Sequence, residues 1–316
     1  MDDSILPGLQ ESRRRFLALV SEVRPELHRY CARMTGSVAD GEDVVQDALA
    51  RGYYELADLG EVPALRPWLF RIAHNRALDF LRGRERLRSE PFGVALEDAV
   101  EAEDDPESAT AREDSVRLAV SRFLEIAPAQ RSCVVLKDVL GHSLEEIGAI
   151  LGLSVPAVKA ALHRGRARLG ELSASSPSRP PARALSPDLA RYAALFSARD
   201  WDGVRAMLRD DVRLDLVSRE RRKGRAEVAH YFENYGRSGD WRLEPAWIDG
   251  REVLAVFRGV EDVRPGYFIE VGFEDGRVAS IRDFRYVQYV ALEAEFELAG
   301  RSESIREGPS APPKTR

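Results

Sequence analysis

Apolar residues recur three and four apart through Phe16, Leu19, Val23, Leu27, Tyr30, Cys31 and Met34, and this spacing predicts an amphipathic helix. Gly36-Ser37 breaks the run. A second helix is predicted from about Val38 to Asp58, with Val44, Val45, Leu49, Tyr53 and Leu56 on its inner side. Pro63 and Pro67 open a third, about Leu65 to Arg82, built on Trp68, Leu69, Ile72, Ala73, Leu78 and Leu81. The helical pattern stops at Ser89 and resumes at Val116, to run on to Leu172.

Within that second helical stretch, Leu144, Ile147 and Leu151 make an inward stripe. Gly152 suits a turn that needs a positive φ, Ser154 suits an N-cap, and Pro156 is tolerated in a first turn. A helix then follows with Val158, Leu162, Gly165 and Leu169 on one face. At about 100° per residue, Lys159, His163 and Arg166 line the adjacent face, flanked by Arg164 and Arg168. Two short helices joined by a Gly turn, the second with a basic face, suit a helix laid in a major groove. A surface hairpin with a solvated basic face has the same pattern, but capping, turn and charge together favour DNA.

Beyond Pro187 the period changes. Two short helices, Asp188–Ala198 and Trp201–Leu208, precede a strand at Val212–Val217 and a helix near Arg225–Tyr235. Four alternating runs follow: Trp241–Ile248, Glu252–Phe257, Tyr267–Glu274 and Val278–Tyr286. Asp249-Gly250 and Asp275-Gly276 fall between consecutive runs as hairpin turns. This predicts an α+β unit built on one antiparallel sheet. The chain therefore reads as multidomain. Residues 1–88 and 116–172 are two all-α modules joined by linker 89–115, and a Pro/Ser-rich hinge at 173–187 leads to an α+β unit at 188–300. The tail 301–316 has the composition of disorder.

Charge sharpens this picture only when it is counted by segment. The chain's formal net charge is −6. Ser89–Ser115 carries ten acids and one Arg, a net of −9. Arg66–Arg88 carries seven Arg and two acids, a net of +5, and Val116–Leu172 eight Lys/Arg and five acids, a net of +3. Two basic helical modules thus flank an acidic linker. The two cysteines, Cys31 and Cys133, read as small buried hydrophobes. The five histidines form no ligand-like cluster, so no metal is expected, and no cofactor either. With no apolar run near 18 residues and no signal peptide, no membrane is expected as a partner and the protein is expected in the cytoplasm.

The upstream helices narrow the function. "DGEDVVQDALARGYYEL" (Asp40–Leu56) followed by "RPWLFRIAHNRALDFLRGRERLR" (Arg66–Arg88) resembles domain 2 of bacterial extracytoplasmic-function (ECF) sigma factors. "SRFLEIAPAQRSCVVLKDVLGHSLEEIGAILGLSVPAVKAALHRGRARL" (Ser121–Leu169) resembles their domain 4, with a helix-turn-helix. The C-terminal unit resembles, more loosely, the cone-shaped SnoaL (NTF2-like) fold. The resemblance implies core RNA polymerase (its β′ and β subunits) and promoter DNA as partners. Asp43, Gln46, Asp47 and Arg51 would dock on the clamp helices of β′. Arg71, Asn75, Arg76, Asp79 and Arg82 would read and melt the −10 element, with Arg84, Arg86 and Arg88 extending the phosphate-facing charge. Lys159, His163, Arg164 and Arg166 would read the −35 element. The acidic linker would thread through the polymerase toward the RNA exit path, its carboxylates standing in for RNA phosphates. Where family members often have Thr-Val-Lys followed by Ser and Arg, this chain has Ala157-Val158-Lys159-Ala160-Ala161, so fewer polar side chains reach the groove.

A cone fold suggests a pocket for a small-molecule ligand, with Trp201, Asp215, Tyr231 and Arg282 as lining candidates. His230, Trp241 and Asp283 are further polar or aromatic candidates. No nucleophile motif is visible, so no catalytic residue is assigned. A regulatory module is favoured over an enzyme because it follows two DNA-binding modules. The rival readings are a ligand-responsive helix-turn-helix regulator that needs no polymerase, and a DNA-binding protein fused to a pocket enzyme. The docking helix with Asp43, Gln46 and Asp47 separates the first rival from a sigma factor.

Overall fold

The computed structural model describes residues 5–56, 64–88, 119–174, 184–237, 239, 241–259 and 261–299, with side chains from 16 onward except those of Leu87 and Arg88. The acidic linker, most of the Pro/Ser-rich hinge and the tail lie outside the described residues. The chain forms two compact units, Met1–Pro177 and Ser178–Arg316.

In the first unit, α1 (Ile5–Thr35), α2 (Val38–Glu55) and α3 (Leu65–Arg88) pack around Leu27, Tyr30, Val45, Leu49, Phe70 and Ala73. The third helix runs on past the expected Arg82 to Arg88. Arg84 lies along this extension and pairs with Asp40 at the start of α2, at 3.3 Å. Ser37 caps α2, its hydroxyl accepting from Asp40 N–H. Gly36, at φ 73°, ends α1, and an added Cβ would lie 2.5 Å from the Leu124 side chain. This position therefore needs glycine both for its backbone and for its contact.

The second helical stretch is a 3₁₀ turn (Val120–Glu125), α4 (Pro128–Val134) continuing as a π turn (Val135–Val139), α5 (Leu144–Leu151) and α6 (Val155–Ala174). Ser143 and Glu146 close a capping box on α5, and Gly152, at φ 71°, takes the left-handed turn that the sequence predicts. The two helical stretches share one core. Phe123, Cys133, Leu136, Ile147 and Leu162 of the second join the same apolar cluster as Leu27, Tyr30 and Phe70 of the first.

Polar groups sealed in that seam explain its geometry. Arg131 of α4, about 1% exposed, donates to Met34 O (2.5 Å), Leu124 O (3.3 Å) and twice to Ile126 O. It has carbonyls rather than a carboxylate as partners, and burial lowers its pKa to about 10. The Tyr30 hydroxyl lies 2.8 Å from His74 Nδ1 and 3.2 Å from Ser132 Oγ, and Ser132 Oγ lies 3.3 Å from Met34 Sδ. Phe70 meets the His142 ring edge-on at 5.1 Å.

The second unit has α7 (Pro187–Ser197) and α8 (Trp201–Ala206), then a seven-stranded sheet with α9 (Arg225–Arg237) inserted after its second strand. The strands are β1 (Leu208–Leu216), β2 (Glu220–Lys223), β3 (Arg242–Ile248), β4 (Arg251–Phe257), β5 (Tyr267–Glu274), β6 (Arg277–Asp283) and β7 (Phe296–Leu298), with α10 (Tyr289–Glu293) before the last. Their order is β2-β1-β6-β5-β4-β3-β7. The sheet is mixed, which corrects the antiparallel expectation: β1 and β6 run parallel, Leu214 beside Ile281. Strands β2 and β7 go beyond the expected runs. The first is a run of charged residues, and the second is three residues long, so neither has a readable period. The turns at Asp249-Gly250 and Asp275-Gly276 hold positive φ at both residues, as the hairpin grammar requires.

Candidate functional site

The exposed face of α2 continues in one line. Asp47, Arg51 and Tyr54 are exposed, Asp43 and Gln46 are half-buried, while Val44, Val45, Ala48 and Leu49 point inward. The buried side-chain nitrogen of Gln46 has no hydrogen-bond partner. Asp47, Arg51, Tyr54 and Glu55 form with Arg76 of α3 an open cleft of about 490 Å³. Arg51 Nε pairs with Glu55 at 2.5 Å.

On α3, Arg71, Asn75, Asp79 and Arg82 are exposed, and Arg82 pairs with Asp79 at 3.2 Å. Arg76 lies at the edge of that stripe, about 100° around the helix from Asn75 and lining the cleft beside α2; its Nε is buried without a partner, while a terminal nitrogen reaches the Asp79 carboxylate at 3.8 Å. Arg71 donates to Ala149 O on α5 at 2.5 Å, so one expected −10 residue touches the helix-turn-helix. Trp68 is half-buried and packs against the core, as its spacing from Ile72 predicts.

On α6, His163 and Arg168 are exposed and Lys159 and Arg164 half-buried. Arg166 is committed elsewhere: Nε and a terminal nitrogen grip Asp138 at 3.0 and 2.6 Å, with Asp138 about 4% exposed. It therefore fastens α6 to the π turn. The expectation of a groove-facing Arg166 is corrected by this bidentate pair, whose partner Asp138 lies 28 residues away in sequence.

The four pocket candidates of the second unit do not converge on one site, although Asp215 and Arg282 are neighbours across β1 and β6. Tyr231 is buried on α9, and half-buried Trp201 stacks on Phe232 with centroids 6.3 Å apart. Asp215 and Arg282 lie on the opposite, half-exposed side of their strands, because Leu214, Leu216 and Ile281 take the inward positions. There Asp215 meets Arg221 at 3.6 Å and Arg282 meets Glu270 at 2.9 Å. His230 is exposed.

The polar centre of this unit is Asp283 instead. Its Oδ2 accepts from the Tyr231 and Tyr235 hydroxyls (2.8 and 2.9 Å), and Oδ1 accepts from Arg285 N–H (2.9 Å). Tyr267 joins through Tyr235 at 2.9 Å. Burial pushes the Asp283 carboxyl up, opposed by these donors. The i, i+4 pair Tyr231/Tyr235 was a legible signal of one helical face, but its convergence on a β6 carboxylate was not. Among the described residues no group of three or more His, Cys, Asp or Glu is placed to hold a metal, and no single helix is long and apolar enough to cross a membrane.

The Bacillus subtilis ECF RNA polymerase sigma factor SigW is 30% identical over 161 residues, covering 49% of this chain and 86% of that one. The chain belongs to the ECF RNA polymerase sigma factors. The Sigma-70 region 2 model matches residues 19–87, Sigma-70 region 4 matches residues 122–169, and the SnoaL-like domain model matches residues 189–284. The RNA polymerase sigma factor CnrH of Cupriavidus metallidurans is 36% identical, over 42% of this chain and 73% of its own. The ECF sigma factor SigG of Mycobacterium tuberculosis is 34% identical over 219 residues, 61% of this chain; the match spans 58% of SigG's length. In this sigma factor the region 2 match contains α2 and nearly all of α3, and the region 4 match contains α5 and most of α6.

Proposed function

We propose that this chain is an alternative sigma factor that binds core RNA polymerase and directs it to promoters, with its SnoaL-like unit serving as a fused regulator rather than an enzyme. The observation that carries the reading is the pair of sigma matches in their proper order, with the helix face of Asp47 and Arg51 left exposed on α2. A helix-turn-helix regulator acting alone has no need of that face. Asp43, Gln46, Asp47 and Arg51 dock on the polymerase clamp. Asn75 and Arg82 contact the −10 element, and Lys159, His163 and Arg164 contact the −35 element, where cations meet phosphates and base edges. The protein works in the cytoplasm, where polymerase and promoter are.

The regulatory reading of the second unit is supported by its polar centre. Both carboxylate oxygens of Asp283 are engaged by internal donors, so the group holds α9 to β6 rather than standing ready for a substrate. A small-molecule ligand of this unit would act by shifting its packing. Gel filtration with core polymerase tests the main reading: co-elution supports it, and separate elution leaves a polymerase-independent regulator. Deleting residues 187–316 then tests the regulatory role. In vitro transcription should change severalfold while core binding persists. Unaltered transcription would reject the regulator.

A further inference from the structure

The cleft between α2 and α3 joins two groups of residues that the resemblance assigns to different partners. Asp47 and Arg51 belong to the docking stripe, and Arg76 to the −10 helix, yet all three line one cavity with Tyr54 and Glu55. Tyr54 matters most. It is about 75% exposed, the most exposed large apolar side chain among the described residues. Its ring meets Tyr53 edge-on at 6.2 Å, and Tyr53 in turn packs on buried Phe16 at 6.1 Å. An exposed tyrosine has only two side-chain torsions to fix on binding, which suits it as an interface anchor.

We infer that Tyr54 and Arg76 belong to the polymerase-docking surface, extending it by a turn of α2 and across the cleft onto α3, so that Arg76 is a protein-contact residue and not a promoter contact. This rests on the sigma-factor reading above. Three observations choose a protein over DNA. First, the cleft carries two carboxylates, Asp47 and Glu55, against two guanidiniums, Arg51 and Arg76, so it offers no net positive charge for a phosphate backbone. Second, Arg76 is rotated about 100° away from Asn75, which lies exposed with Arg82 on the outer side of α3. Third, the Tyr54 ring continues the exposed line of Asp47 and Arg51 at i+7 and i+3. An exposed tyrosine beside two arginines matches the residue types enriched at protein interfaces, with Asp47 and Glu55 suited to its polar rim. The occupant is therefore the clamp helix pair of core polymerase, presenting both signs of charge and an apolar patch over Tyr54.

The test uses the full-length protein with core RNA polymerase. Equilibrium affinity is measured for wild type, Tyr54→Ala, Tyr54→Phe, Arg76→Ala and Asn75→Ala, alongside promoter opening by permanganate footprinting at saturating core. Tyr54→Ala and Arg76→Ala are expected to weaken core binding by about tenfold or more. Tyr54→Phe should retain most of the affinity, and opening per bound complex should stay normal. Asn75→Ala should do the reverse. Unchanged core affinity in both Tyr54→Ala and Arg76→Ala would overturn the inference. So would normal core binding with defective opening, which would give the cleft to an extruded base. Failure of the wild type itself to bind core would reject the sigma-factor reading, a result distinct from either. Circular dichroism melting of each variant excludes unfolding as the cause.

Discussion

His74 couples the seam of the N-terminal unit to pH. Burial, and after it the charge of Arg82, lowers its imidazole to about 4, from an ordinary value of 6.5. The ring sits where protonation is least welcome. Tyr30 OH and Ser132 Oγ lie 2.8 and 3.3 Å from Nδ1, Arg131 lies buried next to Ser132, and no carboxylate is among the groups acting on the ring. A histidine with a depressed folded pKa contributes stability that is present above about 6.5 and lost as pH falls toward 4. At about 1.36 kcal/mol per pH unit, the full loss is about 3 kcal/mol, of which about 2 kcal/mol falls between pH 7 and about pH 4.5. Carboxylates titrate in the same window, so a variant isolates the ring. In His74→Gln an amide takes the ring's place beside Tyr30 and Ser132, and nothing titrates. Urea unfolding of both proteins from about pH 7 to about pH 4.5 should show wild type losing about 2 kcal/mol more than the variant. Limited proteolysis across the seam should become faster in wild type over the same range. Parallel pH profiles in wild type and His74→Gln would refute the reasoning.

Removing Arg166 by Arg166→Ala leaves Asp138 buried without that partner, at a cost of about 3 kcal/mol, and should lower the melting temperature of the N-terminal unit by roughly 6–12 °C in calorimetry. Lys159→Ala should leave melting unchanged but weaken −35 DNA binding, reducing the slope of log affinity against log salt by about one. An equal slope would remove Lys159 from the groove. Asp283→Ala strips two tyrosine hydroxyls and one backbone N–H of their acceptor, and should destabilise the C-terminal unit by about 2–4 kcal/mol in denaturant titration, with sigma-unit melting unaffected.

Periodicity was enough for the longer helices and most strands, but not for the five-residue α10. An inward stripe must repeat with the element's own geometry, so Leu144, Ile147 and Leu151, or Val228, Tyr231, Phe232 and Tyr235, are legible without coordinates. Local backbone demands were legible too. Gly152, Asp249-Gly250 and Asp275-Gly276 stand where positive φ is required, and few other residues tolerate it. The outward stripe of α2 could be drawn because it needs only helical phase. Burial of both cysteines followed from their place in helical patterns.

Side-chain commitments between distant segments were decided only by the tertiary structure. Arg166 has the phase of a groove-facing cation, yet Asp138 claims it; Arg71 has the phase of a DNA contact, yet reaches Ala149 O. A sequence shows which face a residue occupies, but not which partner arrives there from 28 or 78 positions away. The same holds for the union of the two helical stretches around Tyr30, His74, Arg131 and Ser132, and for the gathering of three tyrosines around Asp283. The parallel pairing of β1 with β6 belongs here as well, since strand direction in a sheet depends on the path of the intervening chain and leaves no trace in either strand's alternation. Local periodicity set the elements and their faces, because those follow from bond geometry repeated along the chain. Long-range contacts set which polar groups are spent inside and which are left for a partner.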